Sequence, residues 1–176
     1  MSTRIYVLTF FVDKILKFSE EPLIEDYKNF FESILNEIEK GTDNPINPSE
    51  YSPLVLAYIG DTVYEVFVRT LVVSYGNAPV NKLHNRSVKF VKAKAQSNIL
   101  HEIEDILTTY EQDVVRRGRN AKSGYVPKNA DLTEYRYATA FECLVGYLYL
   151  KKDYERLMFI LKKAVEKISL EEGKRN

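Results

Sequence analysis

Two carboxylates are marked out by what surrounds them. Asp61 interrupts the apolar stretch Leu54-Val55-Leu56-Ala57-Tyr58-Ile59-Gly60-Asp61-Thr62-Val63-Tyr64-Glu65-Val66-Phe67, and Glu142 interrupts Tyr137-Ala138-Thr139-Ala140-Phe141-Glu142-Cys143-Leu144-Val145-Gly146-Tyr147-Leu148. A carboxylate removed from water loses on the order of several kcal/mol unless it is paired, protonated or bound to a cation. Small residues lie beside each acid: Ala57 and Gly60 near Asp61, and Ala138, Thr139 and Gly146 near Glu142. They leave room for an ion, a substrate phosphate or a closely approaching helix. Two such acids on two helices suit a hard divalent metal; the alternative is a pair of internal salt bridges. Glu65 shares a face with Asp61, but Arg69 follows it by four residues, the favourable Glu-to-Arg orientation, so Glu65 reads as structural.

Other chemistries fit poorly. His84, His101 and the single Cys143 match no zinc spacing, and there is no Gly-x-Ser-x-Gly elbow. Gly118-Arg119-Asn120-Ala121-Lys122-Ser123-Gly124 imitates a phosphate-binding loop, yet Ala121 replaces the glycine before the lysine and no strand precedes it. One cysteine excludes an internal disulfide and fits a reducing cytosol. The apolar run from Ile5 to Val12 has no small-residue cleavage site and is too short for the roughly 20 residues of a membrane span, so a cytoplasmic protein without membrane association is expected.

The elements that must position the two acids are helical. With 7 Gly, 6 Pro and 45% hydrophobic residues in 176, many tight turns are unlikely and an all-α fold is favoured. Residues 1–48 read as an N-terminal extension with one helix from Pro22 to Lys40, stopped by Gly41. The main body spans residues 49–170. Ser52-Pro53 opens a helix, Ser as N-cap and Pro at the first helical position. From Leu54 to Tyr75 this helix is expected to be buried nearly all round, ending at Gly76 and Pro79. A second helix runs from Val80 to about Leu107 with a break near His101. Val114 to Asn129 reads as a basic loop after a short helix. Asp131 with Glu134 has capping-box spacing and opens a helix to about Lys151. Asp153 caps a last helix through Ile168, and residues 171–176 fray.

The net charge of zero hides segregation. Residues 1–50 carry 5 Lys/Arg against 10 Asp/Glu, and residues 51–128 carry 11 against 7. Asn81 to Asn98 holds Lys82, Arg86, Lys89, Lys92 and Lys94 with no acid, and Arg116 to Lys128 holds Arg116, Arg117, Arg119, Lys122 and Lys128 with none. Local charge of one sign points to a polyanion, against the alternative of solvated helix faces.

These residues resemble a known family. Tyr58-Ile59-Gly60-Asp61-Thr62-Val63-Tyr64-Glu65 resembles the signature helix of the ribonuclease III catalytic domain, and Ala140 to Leu150 its second acidic helix. Arg117 to Gly124, Pro127-Lys128-Asn129 and Tyr135-Arg136-Tyr137 resemble the short Mini-ribonuclease III branch. The resemblance covers about residues 52–152. The full-length pattern has a glutamate four residues before the catalytic aspartate and an aspartate three before the last glutamate; here Ala57 and Thr139 stand there.

The resemblance implies a ribonuclease III helical bundle that is a homodimeric, Mg2+-dependent endonuclease on double-stranded RNA, with Mn2+ as a substitute metal. It implies processing of ribosomal RNA precursor, that of the large subunit (23S), leaving 5′ phosphates. Asp61 and Glu142 become the catalytic and metal-holding residues, with Thr139 orienting a water. The 27 residues after Tyr149 are too few for the double-stranded RNA-binding module of larger relatives. RNA gripping therefore falls to Lys82, Arg86, Lys89, Arg116, Arg117, Arg119, Lys122 and Lys128. The competing reading is a catalytically silent RNA-binding or ribosome-associated protein on the same fold, allowed by Ala57 and Thr139. A nucleotide pyrophosphohydrolase needs a denser acid cluster.

Overall fold

A computed structural model of the protein describes residues 21–42, 46–74, 76–122 and 131–174. Seven α-helices are present among them: α1 (Glu21–Lys40), α2 (Pro53–Ser74), α3 (Val80–Val91), α4 (Ala93–Ile103), α5 (Thr109–Arg119), α6 (Leu132–Leu150) and α7 (Tyr154–Lys174). Short 3-10 turns cover Pro48–Glu50 and Glu104–Ile106, and the described residues contain no strand. The all-α expectation holds.

α6 is the central rod. Apolar residues face every direction along it, so it must be sheathed: α2, α4 and α5 pack around it, and α7 closes the bundle against α4 and α6. Phe141 of α6 meets Tyr64 of α2 edge to face at 5.0 Å between ring centres. Phe31 and Leu35 of α1 join the same core, Phe31 lying against Tyr149 at 5.3 Å. Lys152, in the left-handed region at φ 63°, directs its Nζ to Glu39 at 2.6 Å and Asn36 at 3.0 Å, tying α1 to the α6–α7 turn.

The decisive contact is between α2 and α6. A Cβ on Gly60 would stand 1.8 Å from the Glu142 carbonyl oxygen, and one on Gly146 would stand 2.0 Å from the Leu56 carbonyl oxygen. The two backbones touch. A third glycine does similar service for α5, since a Cβ on Gly118 would come within 2.9 Å of Ala140 Cα and Cys143 Cβ.

Local sequence signals fix several boundaries. Ser52 Oγ accepts from the Val55 N–H at 3.4 Å ahead of Pro53, and Gly76 takes φ 122° beyond the end of α2. Asp131 caps α6 by accepting from the Thr133 and Glu134 amides at 2.8 and 3.0 Å.

Four expectations are corrected. The break in the second helix falls at Lys92, not His101: Lys92 is extended at ψ 146°, closes α3 through its N–H to Val88 and opens α4 through its carbonyl. Arg116, Arg117 and Arg119 lie on a helix rather than a loop, because Thr108 and Glu111 form a capping box that starts α5, and Gly118 is there for close packing. α2 is not buried all round. Val55, Tyr58, Val66 and Val73 form an uncovered stripe along it, Tyr58 at 80% exposure. The last helix also runs past Ile168, to Lys174.

Gly146→Ala should therefore lower stability by about 3 kcal/mol, at the upper end of overpacking costs because backbone rather than a side chain must move. For a chain of this size that is a fall of about 6–12 °C in Tm. Gly41→Ala, whose Cβ meets nothing closer than 3.5 Å, should melt within about 2 °C of the parent.

Candidate active site

The glycine crossing places the acids. Asp61 follows Gly60 directly, and Glu142 is the residue whose carbonyl Gly60 touches, so the two carboxylates are held beside each other by backbone contact rather than by side-chain packing. Asp61 lies on the open side of α2 and is exposed, which corrects the expectation of a buried aspartate; Glu142 is half-buried. Glu65 forms the anticipated ion pair with Arg69 at 2.7 Å. Thr139 is buried and donates its hydroxyl to the Tyr135 carbonyl at 3.1 Å. Gln96 of α4, also buried, brings its carboxamide against the Glu142 carboxylate.

Burial is the main cause that pushes the Glu142 carboxyl up to about 8, and the Asp61 charge adds to it, while Gln96 pulls the other way. Asp61 is raised too, first because the protein around it takes part of its hydration although the side chain opens to solvent, and then by the Glu65 charge. In the pair, Glu142 is the member that holds a proton, because it is the less solvated. Two carboxylates facing one another, supplying oxygen only, fit a hard divalent cation such as Mg2+, which relieves their repulsion. No group of three or more His, Cys, Asp or Glu gathers as a metal cage among the described residues, so these two acids are what the site offers.

The ribonuclease III domain family matches residues 54–153, more than half of the chain and the segment from α2 through the α6–α7 turn. The chain belongs to the ribonuclease III family. Within it, the similarity is to the Mini branch. A Mini-ribonuclease 3 of Thermoanaerobacter sp. is 54% identical over 66% of this chain and 82% of its own length, and one of Symbiobacterium thermophilum is 51% identical over 68% and 92%. A crystal structure of a Fusobacterium nucleatum protein superposes with a TM-score of 0.59 at 31% identity, covering 63% of this chain and 90% of that one. Membership of the ribonuclease III family makes the chain an endoribonuclease, in place of the silent RNA-binding reading, and double-stranded RNA is the substrate class that goes with the family.

The basic residues divide in two. Lys82, Arg86 and Lys89 are exposed on one stripe of α3, and Lys122 is exposed after α5. Arg116 and Arg117 meet an acid that the sequence run excluded: both reach Asp113, Arg117 at 3.1 Å while partly buried. Arg119 donates to the Tyr137 hydroxyl at 3.3 Å and lies over its ring. Lys128 falls outside the described residues. None of the helices described is long and apolar enough to cross a membrane. Sequence reasoning missed Gln96, whose burial depends on how α4 meets α6 and leaves no local signal.

The raised Glu142 carboxyl predicts a pH-dependent penalty. Below its ordinary value of 4.5 the group is neutral folded or unfolded; between 4.5 and about 8 the folded state alone keeps the proton; above that the fold carries a buried charge. Its contribution is thus fully present at low pH and lost as pH rises through about 8. In EDTA, Glu142→Gln should melt with the parent near pH 4.5 and about 5–10 °C above it at pH 8.5, corresponding to a few kcal/mol. Mg2+ should raise the parent's Tm and leave the variant's unchanged, as differential scanning fluorimetry will show.

Proposed function

We propose that the protein cuts double-stranded RNA with Mg2+, Mn2+ serving as a substitute, and that its biological substrate is the precursor of large-subunit (23S) ribosomal RNA. The observation that supports the metal reading is the pairing of Asp61 and Glu142 across the Gly60–Gly146 contact, where two acids are brought together and no cation among the described residues acts on either carboxyl. When bound, the ion supplies Lewis acidity and an activated water for phosphodiester hydrolysis. The chain's own residues do the rest. Asp61 and Glu142 would hold the ion, and with it the scissile phosphate. Thr139, whose hydroxyl donates a hydrogen bond to the Tyr135 carbonyl, keeps lone pairs that can accept from a water. Water oxygen joins phosphorus, the bond to the 3′ oxygen breaks, and that oxygen takes the proton, leaving a 5′ phosphate.

The uncovered stripe of α2, with Val55, Tyr58, Val66 and Val73, is the surface a second copy covers, and it lies on the helix that carries Asp61. Two sites in one dimer would then face opposite strands. Lys82, Arg86, Lys89, Arg116 and Lys122 grip phosphates. A-form RNA closes its major groove to side chains, so phosphate and 2′-hydroxyl contacts dominate. Arg119 serves the same surface indirectly, by tying α5 to Tyr137 of α6, while Arg117 pairs along α5 with Asp113.

Three outcomes follow. Asp61→Asn should lower the rate on a labelled RNA duplex by more than about 1000-fold with the fold intact, since metal-assisted charge stabilisation is worth several kcal/mol, and EDTA should abolish cleavage by the parent. Near-normal cutting by Asp61→Asn would overturn the site. Light scattering should give twice the 20.5 kDa chain mass; an active monomer contradicts the dimer. Replacing Lys82, Arg86 and Lys89 together by Ala should reduce the slope of log affinity against log salt by about 2 to 3 with Tm unchanged, whereas Arg119→Ala, which cuts the tie between α5 and Tyr137, should lower Tm and leave the slope nearly as it was.

A further inference from the structure

Gln96 is the polar group at the site that the chemistry above does not use. It lies on α4 at 1% exposure, with its carboxamide against the Glu142 carboxylate. Its Nε2 lies toward Glu142 in a donor relation that favours the carboxylate, yet it meets no acceptor at full hydrogen-bond distance and angle among the described residues. A buried amide nitrogen without an acceptor is disfavoured and uncommon in folded proteins. Its neighbours on α4 are accounted for: Ala95, Ile99 and Leu100 fill the core, and Lys94 reaches Glu134 at 3.4 Å. An unbranched apolar side chain of similar length would occupy the same space and leave no donor unmet. Packing alone does not select glutamine.

We propose that Gln96 is a positioning residue: its side-chain N–H donates to one oxygen of Glu142 when that carboxylate turns with Asp61 to hold a divalent cation, so that the other oxygen faces the ion. The unmet donor is the open half of that arrangement. A carboxylate offers about four lone-pair directions over two oxygens, and a site with two acids has little else to choose among them. In the full-length family pattern the positions of Ala57 and Thr139 carry acids. Here a neutral donor from a third helix orients Glu142 instead, and it does so without adding a further like charge to a pair that already repels. Partners that orient a metal ligand typically alter metal affinity or activity 10- to 100-fold when removed. The inference rests on Asp61 and Glu142 being the metal-holding pair.

The test uses Gln96→Leu, and Gln96→Met in case the branched side chain does not fit. Each is melted in EDTA and across a Mg2+ titration, and kcat, KM and half-saturating Mg2+ are measured on a labelled RNA duplex. The expected result is a melting temperature in EDTA at or above the parent's, because the unmet donor is gone. The Mg2+ concentration for half-maximal thermal stabilisation and for half-maximal cleavage should both rise about 10- to 100-fold, with KM for RNA unchanged and kcat lowered at a fixed low Mg2+. A lower melting temperature with an unchanged Mg2+ requirement makes Gln96 a packing residue and overturns the proposal, as does parental behaviour in every measurement. Asp61→Asn and Glu142→Gln are run alongside. If they lose Mg2+-induced stabilisation while both Gln96 variants keep the parental titration, the role of Gln96 fails alone; if all four keep it, the metal pair itself has been misassigned.

Discussion

At the crossing of α2 and α6 two backbones touch, and the contact admits no side chain: a methyl group at Gly60 or Gly146 would sit about 2 Å or less from a carbonyl oxygen of the other helix. Interiors are packed densely enough that such a contact has one solution. Rotation of α2 about its axis would drive Gly60 off Glu142, and sliding along it would drive Leu56 into Gly146. The residue after one glycine is Asp61, and Glu142 is four residues before the other. The backbone positions from which the two carboxylates spring are therefore set by that contact, and only their side-chain torsions are left to turn. The same rod of α6 takes α5 at Gly118 and α4 at Gln96, so each basic or polar group around the site is indexed to it.

Two glutamates, Glu111 buried and Glu142 half-buried, show what that indexing does to charge. Glu111 accepts from Arg156 Nε and a terminal nitrogen at 2.8 Å each and from the Thr108 amide; burial alone would raise its carboxyl, and these partners outweigh burial and hold it below the ordinary range. Glu142 has no cation among the described residues and faces another acid. The first arrangement is a finished structural brace between α5 and α7. The second is left electrostatically incomplete, and it lies where an ion completes it. Proteins that place function in such a spot accept lower stability there in exchange for affinity.

What was legible in the sequence was local. Ser52-Pro53, Gly76 and Asp131 mark helix ends through their own backbone chemistry, and the structure puts ends there. The bend at Lys92 has no glycine or proline to announce it; on either side of it α3 packs chiefly on α2 and α4 chiefly on α6. The capping box at Thr108 and Glu111 was present in the sequence, but Gly118 obscured it, being read as a loop residue when its role is to let α5 lie against Ala140 and Cys143. The stripe on α2 misled for a different reason. Hydropathy says that a surface is covered and does not say by which molecule. Asp113 stood just outside the basic run, two of whose arginines it pairs with, and Gln96 stood inside a run marked out by its bases alone.

Cys143 follows Glu142 on α6 and fills the space against Gly118, its thiol donating to the Val114 carbonyl at 3.8 Å. Burial pushes that thiol up to about 12, so almost none of it is thiolate at neutral pH, and no reagent can reach it while α5 is seated. It is also the chain's one sulfhydryl. Alkylation of this protein is consequently a clock with a single hand: its rate counts how often α5 lifts from α6, an opening that undoes the basic surface and the back of the acidic pair together, and it does so without any engineered label.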